Sequence, residues 1–158
     1  MERLLRHPDA LARAREGEDS YLDAVVQETL RVRPVIPAVL RKLQAPVELG
    51  GWQLPAGVTV MPAITLLHSD PTHFPEPERF LPERFLEGGQ GSTYTWIPFG
   101  GGRRRCLGAA FASFEMRVAL RTILQRVTLR ADRARDEKAR NHHITLVPAR
   151  GARVLRES

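Results

Sequence analysis

"PFGGGRRRCLG", residues 98–108, brings three consecutive glycines and three consecutive arginines next to the only cysteine of a 158-residue chain. Glycines lack Cβ atoms, so Gly100, Gly101, Gly102 and Gly108 allow tight turns and leave room for a large flat group against the main chain. Directly after the cysteine, Phe111, Phe114, Val118, Leu120, Leu124 and Val127 recur at helical spacing. They predict an amphipathic helix over 107–127 that begins one residue past Cys106. The first N–H groups of a helix lack partners and carry partial positive charge, which favours a sulfur there as thiolate. A thiolate is a metal ligand, whereas a lone cysteine without such neighbours is more often an inert core filler.

Arg104, two residues upstream, offers a planar fork of donors suited to a carboxylate. A flat group that carries both a metal and carboxylates is haem. Phe99 is placed to pack beside it.

The bulk composition admits this reading. With 42% hydrophobic and 27% charged residues the chain is of globular type and long enough for one core and one domain. The formal net charge is +6, nearly all from arginine, since Lys42 and Lys138 are the only lysines. A basic partner surface and a compositional bias of the source explain that equally well. One cysteine excludes an intrachain disulfide, and no Cys/His spacing matches a zinc site. The first residues, "MERLLRHPDALARARE", have no apolar core, and no uncharged run approaches ~18 residues. A cytoplasmic protein without a membrane anchor is expected.

Upstream, Leu4, Leu5, Leu11 and Ala14 predict helix over 3–16, restarted at Pro8-Asp9 and closed by Gly17. A second helix is expected in "EDSYLDAVVQETLRVRP" (18–34), with Asp19 and Ser20 as caps, Leu22, Val25, Val26 and Leu30 on one stripe, and Pro34 as stop. From Val35 to Leu67 short β-like runs alternate with turns at Gly50-Gly51 and Pro55-Ala56-Gly57, which predicts a small antiparallel sheet. Residues 68–98 form a long irregular segment that Phe74, Phe80 and Phe85 pin to a core; such segments are usually functional or disordered. At the other end, "ITLVPARGARVL" (144–155) predicts a β-hairpin turning at Pro148 to Gly151.

Phe99, Gly102, Arg104, Cys106 and Gly108 together resemble, position for position, the haem-binding loop of the cytochrome P-450 family. At roughly 5% usage per residue type, five fixed residues at set spacing arise by chance in such a chain well below roughly once in a thousand. Two further stretches resemble family signatures in the expected order: "ETLR", with Glu28 and Arg31, and "FLPERF", with Arg84 as third member. An i, i+3 pair alone contributes only about 0.2–0.5 kcal/mol and signals nothing; its company makes it specific.

The resemblance implies a mainly α fold with small antiparallel β-sheets, the proximal carboxy-terminal part of the cytochrome P-450 fold, over residues 1–158. It implies haem b (iron protoporphyrin) with Cys106 as axial thiolate, and a buried structural triad of Glu28, Arg31 and Arg84. Arg41 matches an arginine that faces a haem propionate, although a solvated arginine reads the same way. Val35 to Leu40 resembles the strand that lines the family's substrate pocket, as a plain core strand also would. The implied activity is monooxygenation of a small, hydrophobic organic substrate, with electrons drawn ultimately from NAD(P)H through an acidic ferredoxin- or flavodoxin-type donor. Family chains are more than twice as long, and the oxygen-activating helix is missing here. A truncated monooxygenase is therefore the leading expectation, and a non-enzymatic haem-binding or interaction fragment the alternative.

Other features read as bland. The arginines after 126 are mixed with Asp132, Asp136 and Glu137 and lack interleaved aromatics, so a solvated face is expected rather than nucleic-acid binding. His142 and His143, adjacent on an expected strand, would face opposite ways. "AGVT" (56–59) reads as a turn and a strand.

Overall fold

The computed structural model describes residues 1–86 and 93–157; the part of the irregular segment at 87–92 lies outside the described residues. A 3₁₀ turn at Leu4–Arg6 precedes α1 (Pro8–Arg15), with Pro8 in the first turn, where its missing N–H costs nothing. Gly17, at φ +80°, ends this unit. Helix α2 (Asp19–Val32) then forms the spine of the core.

The expected caps of α2 are corrected. Glu18 is the N-cap and makes no side-chain cap bond; Asp19 lies in the first turn, where the helix dipole favours an anion, and the Ser20 hydroxyl donates to the Glu18 carboxylate. Asp19 and Asp23 instead hold α4 (Ala109–Arg126) through ion pairs with Arg121 and Arg117.

Tyr21, Leu22, Val25, Val26 and Leu30 of α2 form one core cluster with Leu4, Ala14, Phe80 and Leu120. Ala24, on the adjoining side, packs against Phe74 and Phe85. The three phenylalanines of the irregular segment are buried to 5% exposure or less, so the segment is anchored as expected. Full burial of one such ring contributes about 1.5–3 kcal/mol.

Between α2 and that segment lie two antiparallel ladders rather than one sheet. Strands β2 (Val47–Leu49) and β3 (Trp52–Leu54) form a hairpin at Gly50-Gly51, both at positive φ, while β1 (Arg41–Lys42) pairs with β4 (Thr59–Val60) around it. "AGVT" is a turn leading into β4, as expected. Val35 to Leu40 is not a strand: Pro34 and Pro37 withhold donors, and only an isolated bridge joins Ala38 to Ala63. A short helix not foreseen, α3 (Ile64–His68), follows.

The carboxy-terminal hairpin is also corrected. Strand β7 (Thr145–Pro148) pairs with β6 (Ala139–His142), and β8 (Val154–Arg156) pairs with β5 (Leu129–Ala131). The Pro148 to Gly151 turn exists, closed by Gly151 N–H donating to Pro148 O at 3.2 Å, but positive φ at Gly151 and Ala152 sends the chain to another ladder. His143 occupies the real hairpin turn at φ +55°, with its ring 4.7 Å from that of His142, so the two do not face opposite ways. The charged stretch before them is only partly solvated. Asp136 pairs with Arg3, Arg6 and Arg33, and buried Glu137 accepts the Arg150 N–H.

Candidate functional site

Glu28 and Arg31 face the same side of α2 one turn apart and are both almost fully enclosed. Arg31 grips the carboxylate with two donors, Nε to Oε2 at 2.7 Å and Nη2 to Oε1 at 2.8 Å. Arg84, on the 3₁₀ turn Pro82–Phe85, donates Nε to Oε1 at 3.2 Å, and the Leu81 N–H reaches the same oxygen at 2.9 Å. The structure therefore brings all three triad residues together around one buried carboxylate.

The other hydrogen bonds of the two arginines go to main-chain carbonyls. Arg31 reaches His68 O (2.8 Å) and Arg79 O (3.0 Å), and Arg84 reaches Pro75 O (3.1 Å) and Glu76 O (3.4 Å). The network thus suspends the irregular segment from α2 at several points. Hydrogen bonds of this density around both charges are what make a buried ion pair tolerable.

Below this network the chain runs through Trp96 into the cysteine loop. Trp96 donates its indole N–H to Gln27 O at 3.2 Å and meets Phe85 and Phe99 edge-on. Gly100 N–H closes a turn onto Ile97 O (2.9 Å), and Cys106 N–H donates to Phe99 O (3.0 Å). Gly100 and Gly102 sit at φ +71° and +63°, a region costly for other residues, so turn geometry requires both. At Gly108, by contrast, φ is negative, and a Cβ would lie 3.9 Å from the Cys106 sulfur, an ordinary contact.

Helix α4 begins at Ala109 with Gly108 as N-cap, not at Leu107. Cys106 therefore lies in the turn before the helix, its carbonyl accepting the Ala109 N–H at 3.4 Å. The expected apolar stripe of α4 is corrected as well. Leu120 is buried, but Phe111, Phe114 and Val118 are 70%, 56% and 42% exposed, so most of that apolar stripe faces outward.

A cavity of about 360 Å³ lies over the loop, lined by Leu30, Val35, Ile36, Val39, Arg41, Pro98, Phe99, Gly100, Arg104 and Cys106. It gathers four of the expected site residues, Arg41, Phe99, Arg104 and Cys106. Gly102 and Gly108 shape the loop without lining it. Arg41 spends one donor on Leu40 O (2.9 Å), and the side chains of Arg103, Arg104 and Arg105 have no hydrogen-bond or ion-pair partner among the described residues. Cys106 is exposed, and no cluster of three or more His, Cys, Asp or Glu exists among the described residues to compete as a metal centre. One soft sulfur, apolar walls and two guanidinium groups are a donor set that fits haem: thiolate for iron, aliphatic side chains for the ring, arginines for its carboxylates.

Sequence reasoning missed His68, buried at 1% exposure between α2 and the cysteine loop. Its Nδ1 lies 3.3 Å from Arg31 O, and its Nε2 accepts the Ile97 N–H at 3.0 Å. Burial is the main cause that pushes its pKa down to about 4; the Arg31 charge adds to this, and the bond to the Arg31 carbonyl opposes it. A lone histidine in "LLHSD" carries no periodic or motif signal that could have found it.

A family profile described as Cytochrome P450 matches residues 18–155. The chain is 50% identical over 98% of its length to the protein named cytochrome P450 135B1 of Mycobacterium tuberculosis, and 43% identical over 98% to that named cytochrome P450 138 of Mycobacterium bovis. It spans about a third of these relatives, 34% and 36% of their lengths. Among solved structures, CYP175A1 from Thermus thermophilus superposes with a TM-score of 0.85 at 32% identity, covering 98% of this chain and 39% of that one. Retinoic acid bound cyanobacterial CYP120A1 gives 0.85 at 29% identity, with the same two coverages.

Proposed function

Since the chain belongs to the cytochrome P450 family, we propose that it is the proximal haem-binding part of a haem-thiolate monooxygenase, with Cys106 as the axial ligand. The observation that carries this reading is the cavity in which Cys106, Phe99, Arg104 and Arg41 converge. When bound, haem would supply oxygen binding and the oxidation of a small hydrophobic substrate, with electrons from NAD(P)H.

The chain's own residues divide the remaining work. Cys106 presents the thiolate at a turn fixed by the left-handed Gly100 and Gly102 and by the Cys106 N–H to Phe99 O bond. Arg104 and Arg41 take carboxylates at the cavity rim, while Phe99 and the aliphatic side chains of Leu30, Ile36 and Val39 keep water from one face. Glu28, Arg31 and Arg84 act structurally and touch no reactant. A second cavity of about 240 Å³ shares Phe99 and Cys106 and adds Arg105, which with the exposed Arg103 would offer an acidic ferredoxin- or flavodoxin-type donor a basic surface near the sulfur.

No helix of the described residues is long and apolar enough to cross a membrane. Span favours a second reading of this chain by itself. At about a third of its relatives' length, it would hold haem without completing oxygen chemistry.

The deciding experiment loads the chain with haem, reduces it and adds carbon monoxide. A strongly red-shifted Soret band that Cys106→Ser abolishes supports thiolate ligation; a band unchanged in Cys106→Ser refutes it. Substrate oxidation with a supplied donor separates the two readings.

A further inference from the structure

His68 closes α3 and stands between the two parts of the site that are otherwise described separately, the Glu28 network on α2 and the loop that carries Cys106. A backbone N–H can only donate and a carbonyl can only accept. With Ile97 N–H 3.0 Å from Nε2 and Arg31 O 3.3 Å from Nδ1, the ring is neutral with its proton on Nδ1. Its main-chain carbonyl is held at the same time by the Arg31 guanidinium at 2.8 Å. The edge of Phe74 meets the ring at 5.9 Å and 77°, which fixes its plane.

On the other side, Ile97 opens the cysteine loop. Its carbonyl accepts the Gly100 N–H, and the adjoining Phe99 carbonyl accepts the Cys106 N–H. One path from α2 to the sulfur, beside the Trp96 bond to Gln27 O, therefore runs through one imidazole and two short main-chain turns.

We propose that His68 is a positioning residue: by donating to Arg31 O and accepting from Ile97 N–H, it sets the height of the Ile97–Cys106 loop over α2 and so the depth at which the sulfur is presented. This rests on the reading of Cys106 as the iron ligand. His68 touches no reactant and acts only through the loop.

The inference is tested on the same chain with two variants. His68→Leu removes both bonds at similar bulk, whereas His68→Gln keeps one donor and one acceptor. In the chain without added haem, amide exchange of Ile97 should quicken about tenfold in His68→Leu, the order of one lost buried hydrogen bond. It should stay within about threefold of the parent in His68→Gln, with β6 and β7 unaffected in both. After haem loading and reduction under carbon monoxide, His68→Leu should shift at least half of the absorbance from the thiolate to the thiol form, and His68→Gln should restore it.

Unchanged Ile97 protection in His68→Leu overturns the proposal. So does an unchanged spectrum in that variant when Cys106→Ser has lost the band. If Cys106→Ser keeps the band, the ligand reading fails while the exchange result still reports on His68. Should His68→Leu not fold, nitrogen NMR of the unsubstituted chain decides: an Nδ1–H tautomer supports the inference and an Nε2–H tautomer refutes it.

Discussion

Replacing Glu28 by Gln changes one oxygen to an amide and removes one charge, yet it should be among the most damaging conservative substitutions in the chain. The carboxylate accepts from Arg31 Nε and Nη2, Arg84 Nε and Leu81 N–H. Glutamine keeps one oxygen for some of these donors and turns an NH₂ group toward another. Arg31, whose side chain is only 1% exposed, would lose its counter-charge without gaining water. Breaking such a pair costs about 3–5 kcal/mol, against a total stability on the order of 5–15 kcal/mol. At a urea dependence of about 1–3 kcal/mol/M, the unfolding midpoint should fall by about 2 M.

Trp96 reports the transition, since it packs on Phe85 and Phe99 while Trp52 is 75% exposed and contributes a nearly constant background. Arg84→Ala provides the internal scale. That side chain is 11% exposed, and its loss leaves the Arg31 grip intact, so about 1–2 kcal/mol is expected. A Glu28→Gln loss under about 1 kcal/mol, or one smaller than that of Arg84→Ala, would refute the account of a carboxylate neutralising two guanidiniums.

His68 makes stability depend on pH with a defined sign. Its pKa is about 4 when folded, against an ordinary 6.5, so the unfolded chain binds the extra proton first. The stabilisation is complete above pH 6.5 and is lost as pH falls to about 4, by ~3 kcal/mol. Arg31 is the charge that faces the ring, and His68→Gln should flatten that part of a stability–pH curve measured by urea titration. Gly102→Ala should cost about 1–2 kcal/mol through its left-handed backbone alone, and Gly108→Ala under about 0.5 kcal/mol in the same chain without haem, by thermal unfolding. Phe111→Ser should leave the unfolding free energy from urea titration within about 0.5 kcal/mol of the parent, because the ring is 70% exposed, and light scattering should show less self-association.

Legibility followed the range of the interactions. The two amino-terminal helices, the Gly50-Gly51 hairpin and the anchoring phenylalanines depend on local periodicity and turn chemistry, and all were readable. The three triad members were readable only through the order of family signatures. The buried face of α4 was not readable, since Phe111 and Phe114 have apolar character whether or not this chain supplies a partner. The last strands misled because Pro148 to Gly151 is the stronger turn signal, while the true hairpin turns on His143, a non-glycine residue at φ +55°. His68 was invisible because both ring partners are main-chain groups, which leave no trace in residue identity.

The same indifference to side chains has an evolutionary meaning at the triad. The outer contacts of Arg31 and Arg84 all end on the carbonyl oxygens of His68, Arg79, Pro75 and Glu76. Every amino acid provides that oxygen, so position 79 can drift through many substitutions while the clamp persists, whereas position 76, at φ +50°, is limited to residues that tolerate a left-handed backbone. A saturation library should therefore accept wide variety at 79, favour glycine and asparagine at 76 and tolerate almost no change at 28 or 31, leaving a rigid anchor whose surroundings answer to backbone shape and not to side-chain identity.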